Sequence, residues 1–122
     1  MNIGIDIDGT LTRYPEFFRT LGRLWRSQGY KVYLITGLGR SGVEQRRAQW
    51  PILDDTTFYD EIVDTSRYNA EERSLIGIEP DNEKIVGRFK QRMCRELGVV
   101  VMFDDQAQIH RAFGSVPVFE VR

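Results

Sequence analysis

The chain has 122 residues, 41% of them hydrophobic and 29% charged, a size and balance that fit one soluble globular domain with its own core. A formal net charge of −1 offers no electrostatic pull toward nucleic acid or an anionic membrane surface. Cys94 is the single cysteine, which excludes an intramolecular disulfide, and no apolar run reaches membrane-spanning length. The first strand begins almost at Met1, which argues against a signal peptide, so a reducing cytoplasm is the expected setting.

In chain order, Ile3, Ile5 and Ile7 predict a buried first strand that runs into Asp6 and Asp8. A helix is expected next. Pro15 suits its first turn, Phe17, Phe18, Leu21, Leu24 and Trp25 recur at helical spacing, and Gly29 suits its C-terminal cap. Val32 to Ile35 is a second buried strand, ending at Thr36-Gly37. Ser41 to Trp50 reads as a helix stopped by Pro51, and Tyr59 to Val63 as a short strand.

Ser66 to Asp81 is polar, broken by Gly77 and Pro80, and predicts no clear element. Asn82 to Leu97 carries Ile85, Phe89, Met93 and Leu97 four apart and closes at Gly98, a helix signature. Val99 to Phe103 is the most strand-like run and ends in Asp104-Asp105. Gln106 to Phe113 has a helical pattern, and Val116 to Val121 is a final strand.

Strands that alternate with helices and are apolar throughout imply an α/β domain over residues 1–122: three layers, Rossmann-like, with a mostly parallel central sheet. Ligands of such sheets bind beyond the carboxyl ends of the strands. Asp6 and Asp8, Thr36, and Asp104-Asp105 should therefore gather at one edge. Period-two alternation would also point the carboxylates of Asp6 and Asp8 the same way. Like charges that close repel unless a cation or a shared proton intervenes.

All-oxygen ligands without histidine or thiolate favour a hard cation, Mg²⁺ before others. Such an ion keeps waters and takes oxygens from a substrate phosphate. The Thr36 hydroxyl and backbone N–H groups near Gly9, Thr10 and Gly37 suit the other phosphoryl oxygens. Phosphoryl transfer then needs positioning, charge neutralisation, an in-line nucleophile and a proton donor, and aspartates can serve as the last two.

Asp6-Ile7-Asp8-Gly9-Thr10-Leu11-Thr12 resembles the first signature motif of the haloacid dehalogenase-like (HAD) superfamily of phosphohydrolases. Leu34-Ile35-Thr36-Gly37 resembles the second motif, and Val101-Met102-Phe103-Asp104-Asp105 the fourth, in matching order over essentially the whole chain. The resemblance implies that Asp6 is the nucleophile and Asp8 the general acid and base. It implies that Thr36 holds the transferring phosphoryl group. Mg²⁺ would be held by Asp6, the main-chain carbonyl of Asp8 and the acidic pair. By analogy with relatives carrying a similar pair, Asp105 would bind directly and Asp104 through water. An aspartate two residues after the nucleophile resembles phosphatases of the superfamily rather than its dehalogenases.

The third motif is a lysine, and two residues fit it. Lys84 stands near the start of the Asn82 to Leu97 helix, where a helix leading back into a parallel strand meets the active edge. Lys90 has the short lysine-to-acid spacing of several nucleotidase-like relatives. It suits a helix that begins near Gly87, whereas in one continuous helix it would stand too far down. Arg40, after Thr36-Gly37, is a further candidate for the substrate phosphate, as is Arg13. His110 and Cys94 read as structural, Trp25 and Trp50 as core or oligomer contacts, and Phe17 as helix face or pocket rim.

The intervals after the first and second motifs are too short for a full cap domain, so the chain resembles a minimal, nearly capless member. An open site implies a bulky phosphorylated substrate, such as a nucleotide or nucleic-acid end, or a lid from another subunit in a homo-oligomer. The near-neutral charge does not favour nucleic acid. The alternative reading is a metal-binding or regulatory module on the same fold with little turnover.

Overall fold

A computed structural model of the chain describes residues 1–69, 71, 82–112 and 114–122. Among the described residues, five strands and four helices alternate: β1 (Asn2–Ile5), α1 (Pro15–Ser27), β2 (Lys31–Ile35), α2 (Arg40–Gln49), β3 (Glu61–Val63), α3 (Asn82–Glu96), β4 (Val99–Asp104), α4 (Ala107–Arg111) and β5 (Val118–Glu120). All strand pairs are parallel, in the order β3-β2-β1-β4-β5. The chain builds outward from β1 to β3 and then returns to β1's other side with β4. The switch point of the sheet, where such folds bind ligands, therefore lies between β1 and β4.

Alternating side chains feed two cores, as expected of a sheet covered on both faces. Ile5, Val32 and Leu34 pack with Leu11, Phe18, Leu53 and Phe58 on one face. Tyr33, Ile35 and Met102 pack with Phe89, Met93 and Cys94 on the other. Burial pushes the Cys94 thiol up to about 12, which keeps it an unreactive packing group. Among the described residues, no helix is long and apolar enough to cross a membrane.

The elements are shorter than the sequence pattern suggests wherever a side chain replaces a ladder partner. Asp60 accepts from Val32 N through its carboxylate at 2.8 Å, and the hydroxyl of Tyr59 donates to Leu53 O, so β3 starts only at Glu61. Val116 exchanges both backbone bonds with the Gln91 amide at 3.2 Å, so β5 starts at Val118. On α1, Phe18 faces the sheet, but Phe17 and Leu24 are more than half exposed. They are a second apolar stripe, seven residues apart, beyond the sheet surface that the helix covers. The end of the expected helix at Phe113 and most of Ser66 to Asp81 (residues 70 and 72–81) lie outside the described residues.

His110 is 1% exposed. Because Gln91 Oε1 accepts from Val116 N, the Gln91 amide nitrogen must face His110 Nδ1, 2.7 Å away, and donate to it. The ring is then neutral with its proton on Nε2, which has no partner among the described residues. Burial lowers its pKa from 6.5 to about 4. A group whose folded pKa is lowered in this sense favours the fold in its neutral form. Its contribution is complete above about 6.5 and is lost as pH falls through about 4. The His110 contribution to this loss between pH 7 and 5 is about 2 kcal/mol. Asp6, whose pKa burial raises, shifts stability the opposite way over that range, so the check is the difference between wild type and His110→Leu in how their urea midpoints move from pH 7 to 5.

Candidate active site

The acids and Thr36 meet at the carboxyl edge of β1, β2 and β4, around a cleft of ≈ 330 Å³ whose walls include Asp6, Asp8, Thr36, Lys90, Asp104 and Asp105. Asp6 follows β1 in extended conformation, and its N–H donates to Phe103 O at 2.9 Å, which locks it to β4. A wide turn follows, closed by Leu11 N to Asp6 O at 3.2 Å and Thr12 N to Ile7 O at 3.1 Å. Buried Ile7 and Leu11 anchor it. Gly9 takes φ +77°, and a Cβ there would come within 2.4 Å of Asp105 Oδ2. Glycine is thus required both by the backbone and by the close approach of the acidic pair.

This turn, not strand alternation, places the two aspartates. The pairing ends at Ile5, so the expected common direction from period-two geometry does not apply. Asp6 is buried, whereas the Asp8 side chain is 46% exposed and its Oδ1 accepts from Arg46 Nε at 2.8 Å. The two carboxyls share the cleft but occupy different environments.

Lys90 is the centre of the charge arrangement. Its Nζ donates to Asp6 Oδ1 at 2.8 Å and to Asp104 Oδ2 at 2.7 Å, with all three residues buried. The two carboxylates outweigh the cost of burying the ammonium, so the Lys90 pKa is raised and the group stays charged. One lysine cannot neutralise two buried carboxylates. Burial accordingly pushes Asp6 up to about 8; Lys90 opposes this shift and Asp104 adds to it. One negative charge is left in surplus, to be taken by a proton or a cation.

The third carboxylate of the cluster is Asp105. One oxygen from each of Asp6, Asp104 and Asp105 lies within 4.8 Å of the others. Adjacent oxygens on an Mg²⁺ octahedron stand about 3 Å apart and opposite ones about 4.2 Å, so these three would have to draw in around such an ion to hold it. Both Asp104 oxygens are engaged, by Lys90 and by Gln106 N at 2.9 Å. Thr10 wires the pair to the turn: its hydroxyl donates to Asp6 Oδ2 at 3.3 Å and accepts from Asp105 N at 3.0 Å.

Thr36 is buried at the end of β2, and its Oγ1 accepts from Leu38 N at 3.2 Å. A Cβ on Gly37 would lie 2.7 Å from Val86 Cγ1, so this glycine lets α3 press on the edge of the cleft. Gly9 N donates to Thr12 Oγ1 at 3.0 Å and is occupied by the turn itself. Arg40 does not line this cleft. It borders a neighbouring recess with Glu61, Asp64 and Arg67 beyond β3.

Contrary to the expectation from helix length, a continuous helix does not carry Lys90 too far down. α3 runs unbroken over Asn82–Glu96 and still delivers Lys90 to Asp6. It is Val86, not the first residue of the helix, that meets the sheet edge at Gly37, so the opening turn overshoots the edge. Lys84 lies in that opening turn, and its side chain is outside the described residues. Nor does the sequence indicate the partner of Asp8. Arg46 belongs to a basic pair, Arg46-Arg47, with no spacing signal to tie it to Asp8.

Comparison with family models, with curated proteins and with solved structures finds no match to this chain.

Proposed function

We propose that the chain is a Mg²⁺-dependent phosphomonoester hydrolase of the HAD-like type, working through an aspartyl-phosphate on Asp6. The single observation that carries this reading is the buried Lys90 bridge between Asp6 and Asp104, with Asp105 completing a carboxylate cluster at the mouth of a cleft. A lysine tying together two buried acids has little to recommend it as a stabilising device, since apolar residues of similar volume often do as well or better. At a phosphate site the same group neutralises charge as it accumulates.

In this mechanism a carboxylate oxygen of Asp6 forms a bond to phosphorus as the bond to the leaving oxygen breaks, and Asp8 gives that oxygen its proton. Water then attacks phosphorus, passing a proton to Asp8, and the Asp6–phosphorus bond breaks to release inorganic phosphate. Lys90 holds the nucleophile in place and balances charge throughout, and the Thr36 hydroxyl donates to a phosphoryl oxygen. Asp6, Asp105, the carbonyl of Asp8 and, through water, Asp104 would hold Mg²⁺, which supplies charge neutralisation of the phosphoryl oxygens. The residue surplus of negative charge fits that cation.

The substrate is bulky or a chain end. Only residues 6–14 separate β1 from α1, which leaves no cap there, and Asp8 is half exposed to solvent. The test is hydrolysis of p-nitrophenyl phosphate by the purified chain, with and without Mg²⁺, followed by nucleotides, phosphosugars and DNA 3′-phosphate ends. Turnover that needs Mg²⁺ and stops with EDTA is the expected result. Turnover unaffected by EDTA overturns the metal dependence, and no turnover of any member of the panel overturns the enzyme reading.

A further inference from the structure

We propose that Arg46 is a positioning residue for Asp8, an inference that rests on the phosphatase reading above. Asp8 sits on a turn with a half-exposed side chain, and such a side chain is free to populate several staggered rotamers. Proton transfer to a leaving oxygen requires one of them. Among the described residues, the contact that selects it is Arg46 Nε to Asp8 Oδ1, at 2.8 Å. The contact engages one oxygen and leaves the other turned to no described partner, available to the leaving group.

Arg46 is itself well placed to act as a fixed point. Val43, one turn earlier on α2, is buried, and its N–H donates to Gly39 O at 3.1 Å. Residues three apart share a helix face, so the face that anchors α2 also carries Arg46. The guanidinium is partly sheltered, 28% exposed against 46% for Asp8. α2 also begins directly after the Thr36-Gly37 segment, so one stretch of chain holds both the phosphoryl-binding hydroxyl and the tether of the acid. The two should be set in register by the same packing.

Because Arg46 acts through Asp8, its loss should matter most where the proton matters most. In Arg46→Ala, kcat/KM for an alkyl phosphate, a poor leaving group, should fall about 10- to 100-fold, the scale of misplacing a reacting group by about an ångström. With p-nitrophenyl phosphate, whose leaving group needs little protonation, kcat/KM, which reports only the steps up to leaving-group departure, should fall less than about threefold. Its kcat should fall further than its kcat/KM, because Asp8 also takes the proton of the water that hydrolyses the aspartyl-phosphate, and added guanidinium should restore part of the alkyl activity. In an Asp8→Asn background, Arg46→Ala should cost nothing further. Equal losses of kcat/KM on both substrates, an increase in kcat/KM, or a full additional loss in the Asp8→Asn background would each overturn the proposal. Arg46→Lys, which keeps the charge and most of the stem, serves the same comparison if Arg46→Ala does not fold. A wild-type chain that turns over neither substrate refutes the phosphatase reading itself. An active wild type with evenly affected variants refutes only the role of Arg46.

Discussion

Asp6→Asn is expected to remove phosphate hydrolysis by about 10⁴-fold or more, the scale on which loss of a covalent nucleophile falls. The fold should survive. Asparagine keeps an oxygen to accept from Lys90 Nζ, its amide nitrogen can donate to the Thr10 hydroxyl in place of the bond that Oδ2 accepted, and it removes the carboxylate that is in surplus at the site. Burial already pushes Asp6 toward its neutral form, so a neutral isostere suits the metal-free cleft. The measurement pairs initial rates with a thermal melt in EDTA. Lost activity with an unchanged or higher midpoint assigns the effect to chemistry. Retained turnover of p-nitrophenyl phosphate would remove Asp6 from the nucleophile's role, and with it the aspartyl-phosphate.

Lys90→Met should cost both activity and stability, and in this it differs from Asp6→Asn. Removing one partner of a buried ionic cluster leaves the others uncompensated, at about 3–5 kcal/mol. Here the partners left behind are two carboxyls, Asp6 and Asp104, both buried. For a domain of this size such a loss lowers the thermal midpoint by roughly 10 °C or more. Added Mg²⁺ should recover part of that midpoint, because a cation at the cluster takes over some of the lysine's charge, but activity should stay at least about 10²-fold down. Lys84→Ala is the comparison. Rates and midpoints close to wild type are expected there, and a larger loss of rate at Lys84 than at Lys90 would transfer the motif role to Lys84.

Much of this architecture is legible without coordinates, and particular residues show why. The uniform apolar character of Val32 to Ile35 reflects burial on both faces, which only a covered parallel sheet provides. Gly29 and Gly98 mark helix ends with φ of +84° and +64°, conformations that favour glycine. What could not be read are the places where a side chain substitutes for backbone. Asp60 on Val32 and Gln91 on Val116 each shorten a strand that periodicity alone extends. Nor does periodicity show how wide a surface lies beneath a helix, so Phe17 and Leu24 look like core in sequence and stand exposed in the fold.

The sequence by itself determined that an α/β sheet would bring Asp6, Asp8, Thr36 and the Asp104-Asp105 pair to one edge. The parallel direction of the strands carries that result, and the alternation of uniformly apolar strands with helices encodes it. Only the tertiary structure decided which cation each acid meets. Lys90 reaches Asp6 because α3 overshoots the sheet edge, and Arg46 reaches Asp8 because α2 packs on Val43. Helical periodicity records the phase of a residue around its axis. How far a helix slides along that axis against a sheet is set by packing between segments distant in the chain, and no local pattern contains it.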